Sequence, residues 1–228
     1  MKTVLKLGGS VFSAEGVDKD FLEKFSSKIS EWAKTHQIAV VVGGGKLSRE
    51  YGELGRKFTS DEDLLDTVGI MASRVNASLL VTALGDLAAD EIAKSEEDFL
   101  KISEESPGKV IVAGGFRPGQ RTDAVSAEIA EVWGAEMVIK CTDVDYVYDK
   151  DPNKFKDAKK LESVSFDELK DLAGSGEHKA NISTIMDPVA AKILSENKIH
   201  AAVVNGKDLE NIGNILDKKE FTGTRVGF

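Results

Sequence analysis

With 228 residues, 41% of them hydrophobic, the chain can bury one substantial core and falls within the range of a single α/β domain. A formal net charge of −9 and a pI near 5.0 argue against a nucleic-acid surface built on a broad basic patch, but leave room for a small anion held by a few amides and lysines. The single Cys141 excludes an intrachain disulfide or cysteine-rich zinc site and reads as a small buried hydrophobe; His36, His178 and His200 show no metal-ligand spacing, so no protein metal site is expected.

In chain order, TVLKL (3–7) reads as a strand, followed by a helical stretch in which Phe21, Leu22, Phe25, Ile29, Trp32 and Ala33 recur every three or four residues. IAVVV (38–42) is a second strand, leading into a long helical region to about residue 95 that is interrupted near TSDED (59–63). KVIVA (109–113), EMVIK (136–140) and AAVVN (201–205) are later strands, with helical patterns at 122–134, 165–173, 184–196 and 208–216. The strands are nearly continuous apolar runs, the pattern of a mainly parallel sheet covered by helices on both faces. The polar stretch 149–163 is a connection and not a boundary, so residues 1–228 are expected to form one domain. No apolar run approaches the roughly 18–20 residues of a membrane span and the N-terminus lacks signal-peptide organisation, so a soluble, cytoplasmic protein without membrane or nucleic-acid partners is expected.

Glycines cluster where strands end: LGGS (7–10), GGGK (43–46) and AGG (113–115). Three such clusters at the carboxyl ends of parallel strands meet on one sheet edge, where open α/β folds bind ligands and where following helices offer free N–H groups. A phosphate-rich ligand is the favoured reading, although GGGKLS (43–48) is neither a Walker A loop nor a G-x-G-x-x-G fingerprint. Lys6, two residues before the first glycine pair, could neutralise charge on a transferring phosphoryl group. CTDVDYVYDKDP (141–152) places carboxylates and two tyrosines after another strand, suited equally to a charged turn or to a pocket wall.

In order and spacing, KLGGS (6–10), VVVGGGK (40–46), TDA (122–124) and TDVDYVYDKDP (142–152) resemble the amino acid kinase family. Within it, VVVGGGKLSREY, DLLDTVGIMASRVNASLL (63–80), GGFRPGQRTDAV (114–125) and IMDPVAAKI (185–193) are similar to the archaeal-type uridylate kinases, and the resemblance covers almost the whole chain. It implies a three-layer α/β/α sandwich with ATP and acceptor at opposite ends of one sheet edge. It also implies transfer of the ATP γ-phosphate to UMP in pyrimidine nucleotide (CTP) biosynthesis, with Mg²⁺ accompanying ATP and a homohexameric assembly.

Carried over residue by residue, the resemblance makes Lys6 the phosphate-bridging catalytic lysine and Asp145 the carboxylate that orients it. Gly9, Ser10, Gly45, Arg49, Thr142, Tyr148 and Asp151 would face ATP. Gly44, Asp66 and the loop Gly114, Gly115, Phe116, Arg117, Pro118, Gly119, Gln120, Arg121 and Thr122 would face UMP, with Asp66 on the ribose. Tyr146 stands where the family usually has glycine, and Gln120-Arg121 replace a His-Thr pair common in the archaeal loop. Lys192 reads as a helix-surface residue. Two other readings stay open at this point: another small-acceptor kinase, or a non-catalytic nucleotide- or oxyanion-binding protein of the same fold.

Overall fold

The computed structural model describes residues 1–13, 16–150, 155–174 and 185–228. The strands are β1 (Lys2–Leu7), β2 (Gln37–Val42), β3 (Ile111–Ala113), β4 (Met137–Thr142), β5 (Val147–Tyr148), β6 (Lys160–Leu161), β7 (Ser163–Val164), β8 (His200–Asn205) and β9 (Thr224–Val226). Seven of them form one sheet in the order β3-β2-β1-β4-β8-β9-β7, while β5 and β6 pair separately. From β3 to β8 the strands run parallel; β9 joins β8 antiparallel and β7 lies parallel to β9.

Helices α1 (Gly9–Phe12), α2 (Lys19–Trp32), α3 (Gly45–Gly55), α4 (Glu62–Leu84), α5 (Glu96–Glu105), α6 (Thr122–Trp133), α7 (Phe166–Gly174), α8 (Pro188–Asn197) and α9 (Leu209–Leu216) cover both faces. Successive strand residues point to opposite sides, and here both sides are buried. Val4, Val41, Val138 and Val203 join a core built with α5, α6, α7 and α8. Leu5, Val40, Ile139 and Val204 join another built with α1, α2, α4 and α9. Three layers result. Cys141 lies in the second core, where burial pushes its thiol up to about 12.

Two sequence expectations need correction. The helical region before residue 95 ends at Leu84, and Ala88 and Ala93 instead make isolated bridges to the strand region at Val110 and Ala113. The helix not anticipated, α5, starts at a cap in which Ser95 Oγ accepts from the Asp98 N–H at 3.1 Å. Second, Glu62–Leu87 is long and apolar enough to cross a membrane by length and composition alone, with a mean hydropathy of 1.4. Here that helix packs its buried residues, among them Ala77, Leu80 and Leu84, into the core.

Candidate active site

β1 and β2 are in register with Leu7 opposite Val42, so the turns that follow them lie side by side. The contact is backbone on backbone: a Cβ on Gly9 would sit 2.3 Å from the Gly45 nitrogen, and Gly45 itself has φ +59°. Gly9, Gly43 and Gly45 therefore serve first to let these two strand ends meet, which a side chain would prevent, while Gly8 packs on the Cys141 carbonyl of β4 and Gly44 on Ser48. From α4, Asn76 Nδ2 donates to the Gly43 carbonyl at 2.9 Å and holds this junction from the helix layer.

Lys6 points to the same face as Val4, and its register partner on β4 is Lys140. Asp123, in the first turn of α6, stands between them: Lys6 Nζ lies 3.1 Å from Oδ1 and Lys140 Nζ 2.7 Å from Oδ2. Lys140 also donates to the Ile185 carbonyl at 3.0 Å. Burial alone would raise the Asp123 carboxyl, but the charges of Lys140 and Lys6 outweigh it and hold it at about 2. Burial lowers Lys140, and the like charge of Lys6 acts in the same direction against the pull of Asp123. Asp187 completes the set, accepting from the Ala190 N–H at 2.9 Å as the cap of α8 and from the Ala124 N–H at 3.0 Å in α6. Two helix N-termini and two lysines thus converge, making a place where anionic oxygens are favoured.

Lys6, Asp123 and Lys140 line a cavity of about 370 Å³. Of the residues expected to face the acceptor, Gly44, Asp66, Gly115, Gln120, Arg121 and Thr122 also line it. Ser48, Gly69, Ile70 and Ser73 line it as well. These were missed in the sequence, although Gly69 and Ser73 follow Asp66 at helical spacing on α4, a pattern that puts them on one face. Lys140 was missed because it ends an apolar run and reads as a strand terminus; Asp123 lay inside the quoted TDA motif without a role.

Other expected residues stand elsewhere. Phe116 is buried in the core that contains α5 and α6. Arg117 turns away from the cavity to pair with Glu128 and, at 3.2 Å, with Glu96. Gly114 packs directly on Arg74, Pro118 is not among the lining residues, and Gly119 donates its N–H to Asp66 Oδ2 at 2.6 Å. The carboxylate at Lys6 is Asp123, not Asp145. Asp145 lies in the loop beyond β4, where its Oδ1 accepts from Asn205 Nδ2 at 3.0 Å, whereas the Lys6 side chain projects toward α6.

On the side expected to face ATP, Gly9, Ser10, Thr142 and Tyr148 are half-buried, Gly45 is buried and Arg49 exposed. Asp151 lies outside the described residues. Tyr146 has no positive φ, so replacing the family's usual glycine costs no backbone strain here, and Lys160 Nζ sits 4.8 Å over its ring. Lys192 is exposed on α8.

A parallel sheet with glycine turns at its carboxyl edge and a lysine–carboxylate–lysine cluster beneath them defines a phosphate-handling α/β protein. Residues 1–205 match the model of the amino acid kinase family, and the chain belongs to that family. It is 44% identical over 210 residues to a uridylate kinase of Methanocaldococcus jannaschii, covering 90% of this chain and 91% of that one. It is 40% identical over 228 residues to a uridylate kinase of Sulfolobus acidocaldarius, covering 99% of both. The crystal structure of uridylate kinase from Archaeoglobus fulgidus superposes with a TM-score of 0.87 at 35% identity, covering 99% of this chain and all of that one.

Proposed function

We propose that this protein transfers the γ-phosphoryl group of ATP to UMP, giving UDP and ADP, in the cytoplasmic synthesis of pyrimidine nucleotides. The observation that carries this reading is Asp123 holding Lys6 and Lys140 together at the floor of the cavity walled by Asp66, Gly115 and residues 120–122. The uridylate kinase relatives, similar over nearly the whole chain, give the acceptor its name. A UMP phosphate oxygen attacks the γ-phosphorus as the bond to the β,γ-bridging oxygen breaks, and ADP carries that electron pair away. The acceptor oxygen is already ionised at neutral pH, so no general base is required. Lys6 and Lys140 neutralise charge on the transferring group and Asp123 keeps both ammonium groups aimed.

In this reading Asp66 takes the UMP ribose, Gly44, Gly115, Gln120, Arg121 and Thr122 surround UMP, and Gly9, Ser10, Gly45, Arg49, Thr142, Tyr148 and Asp151 face ATP. Among the described residues no group of three His, Cys, Asp or Glu side chains is placed to hold a metal ion. The described residues therefore offer no cluster for a resident metal, and Mg²⁺ would enter as the counter-ion of the ATP triphosphate. The test is a nucleoside monophosphate panel with Mg-ATP, following ADP release. UMP should exceed CMP by about 10⁴ in kcat/KM, because cytosine reverses the donor and acceptor at the pyrimidine edge and leaves buried groups unpaired. Equal turnover of CMP and UMP would refute uridylate selectivity; no turnover with any nucleotide would refute the kinase.

The assembly proposed is a homo-oligomer, a homohexamer by resemblance, with the α3–α4 face as one of its interfaces. On α4, Leu64, Met71, Val75 and Leu79 follow a helical stripe and are 36–59% exposed; Tyr51 and Leu54 on α3 and Phe58 just beyond it are 50–83% exposed. Apolar patches of this kind mark interaction sites, and a stable dimer needs about 800 Å² of such surface on each partner. The Phe58→Glu, Val75→Glu double variant is expected to sediment as a smaller species than the parent at micromolar concentration. A parent that sediments as a monomer would end this assignment.

A further inference from the structure

The wall of the cavity between β3 and α6 has little regular structure, yet its backbone is held from two directions. From α4, Arg74 Nε donates to the Gly115 carbonyl at 3.0 Å and Nη2 to the Phe116 carbonyl at 3.2 Å. The same Nη2 reaches the Lys94 carbonyl at 3.3 Å, so one guanidinium ties the wall to the segment before α5. Next to it on α4, Ser73 Oγ accepts from the Gly115 N–H at 2.7 Å while donating to the Ile70 carbonyl at 2.7 Å. The fit is close: a Cβ on Gly114 would lie 2.9 Å from Arg74 Cγ and 3.0 Å from its backbone. From the opposite side, Arg117 leaves the loop and pairs with Glu128 on α6 and with Glu96 at the start of α5.

A planar guanidinium can serve several carbonyls at fixed angles, which an ammonium on a flexible stem cannot. Neither guanidinium lines the cavity. Resting on the reading of that cavity as the acceptor site, we propose that Arg74 and Arg117 are positioning residues: they assemble the acceptor loop before nucleotide arrives and touch no nucleotide themselves. The loop's remaining amides and the Gln120 side chain then meet the acceptor already ordered, so binding does not have to order the loop. Arg74 carries the larger share because it bonds backbone on both sides of α5; the Arg117 side chain is 56% exposed, where ion pairs contribute little.

Two measurements on the full chain test this. In the nucleotide-free protein, Arg74→Ala should speed hydrogen exchange of the Gly115, Phe116, Arg117 and Gly119 amides at least tenfold, with the strand amides of β1 and β4 unchanged. In kinetics the same variant should raise the KM for UMP about tenfold or more while kcat at saturating UMP and the KM for ATP stay within about twofold, the signature of lost acceptor binding and not of lost chemistry. Arg74→Lys keeps the charge but not the fork and should fall between parent and alanine variant. If Arg74→Ala does not fold, Arg74→Lys and Arg117→Gln carry the same two readouts. Unchanged loop protection, or a rise in the ATP KM matching that for UMP, overturns the proposal. A parent that phosphorylates no UMP would instead overturn the acceptor reading, and the exchange measurement alone would then decide the clamp.

Discussion

Lys6→Ala is expected to lower kcat by on the order of 10²–10³ while changing the KM for UMP by no more than a few-fold. The reason is where the ammonium sits: two residues before the Gly8–Gly9 turn, on the sheet edge, with only 13% of its side chain exposed. On the proposed mechanism it there meets charge that shifts onto the transferring oxygens in the transition state, and a weakly hydrated site makes that interaction strong. Asp123 keeps Lys140 at 2.7 Å in the variant, so the carboxylate is not orphaned and the fold should persist. Steady-state kinetics with a melting-temperature control checks this. Unchanged turnover would take Lys6 out of the mechanism.

At Asp123 the expected effect is broader, reaching stability as well as rate. Asp123→Asn keeps the shape but leaves two largely buried ammonium groups without their shared anion, and breaking a buried pair costs about 3–5 kcal/mol. The parent carboxyl, held at about 2 against an ordinary 3.8, contributes stability that is fully present above about pH 4 and is lost as pH falls toward 2. The asparagine variant should lack that acid limb of the stability curve. It should also lose at least as much kcat as Lys6→Ala, because both lysines lose their aim. Nucleotide phosphates can stand in for the missing charge, so saturating ATP plus UMP should raise the melting temperature more in the variant than in the parent. Equal melting temperatures without nucleotide would show that Asp123 does not hold the lysines.

The parallel sheet was legible because buried strands write themselves as unbroken apolar runs, and its functional edge because glycines collect where those runs stop. Helix α5 was not, since only Phe99 and Ile102 are buried on it and its clearest signal is the cap at Ser95. Nor was β9, three residues long, recognised among the polar residues before it. In the site, contributions from one motif were legible and those created by register were not. Lys140 becomes a partner of Lys6 only because β4 lies beside β1, a pairing across more than a hundred residues that no local pattern encodes. Asp145 misled for the converse reason: its motif is conspicuous, but its loop passes beyond the strand end and Asn205 engages its carboxylate. Arg117 looked like an acceptor ligand because of its loop, while its partners, Glu96 and Glu128, lie on helices before and after that loop.

The place of β1 in the sheet sets a constraint on how the chain comes off the ribosome. Its first edge can be satisfied by β2 as soon as residue 42 has emerged, but its second edge belongs to Met137–Thr142. For the intervening hundred residues the nascent chain carries an apolar strand with one row of backbone groups unpaired, the kind of edge that recruits other chains. Long-range parallel pairing is also slow to close. The two lysines proposed to neutralise the phosphoryl group are brought together by that same late event, so their pairing cannot exist in a partly made sheet: synthesis past β4 closes the second edge of β1, and the open edge passes to β4 until His200–Asn205 arrives.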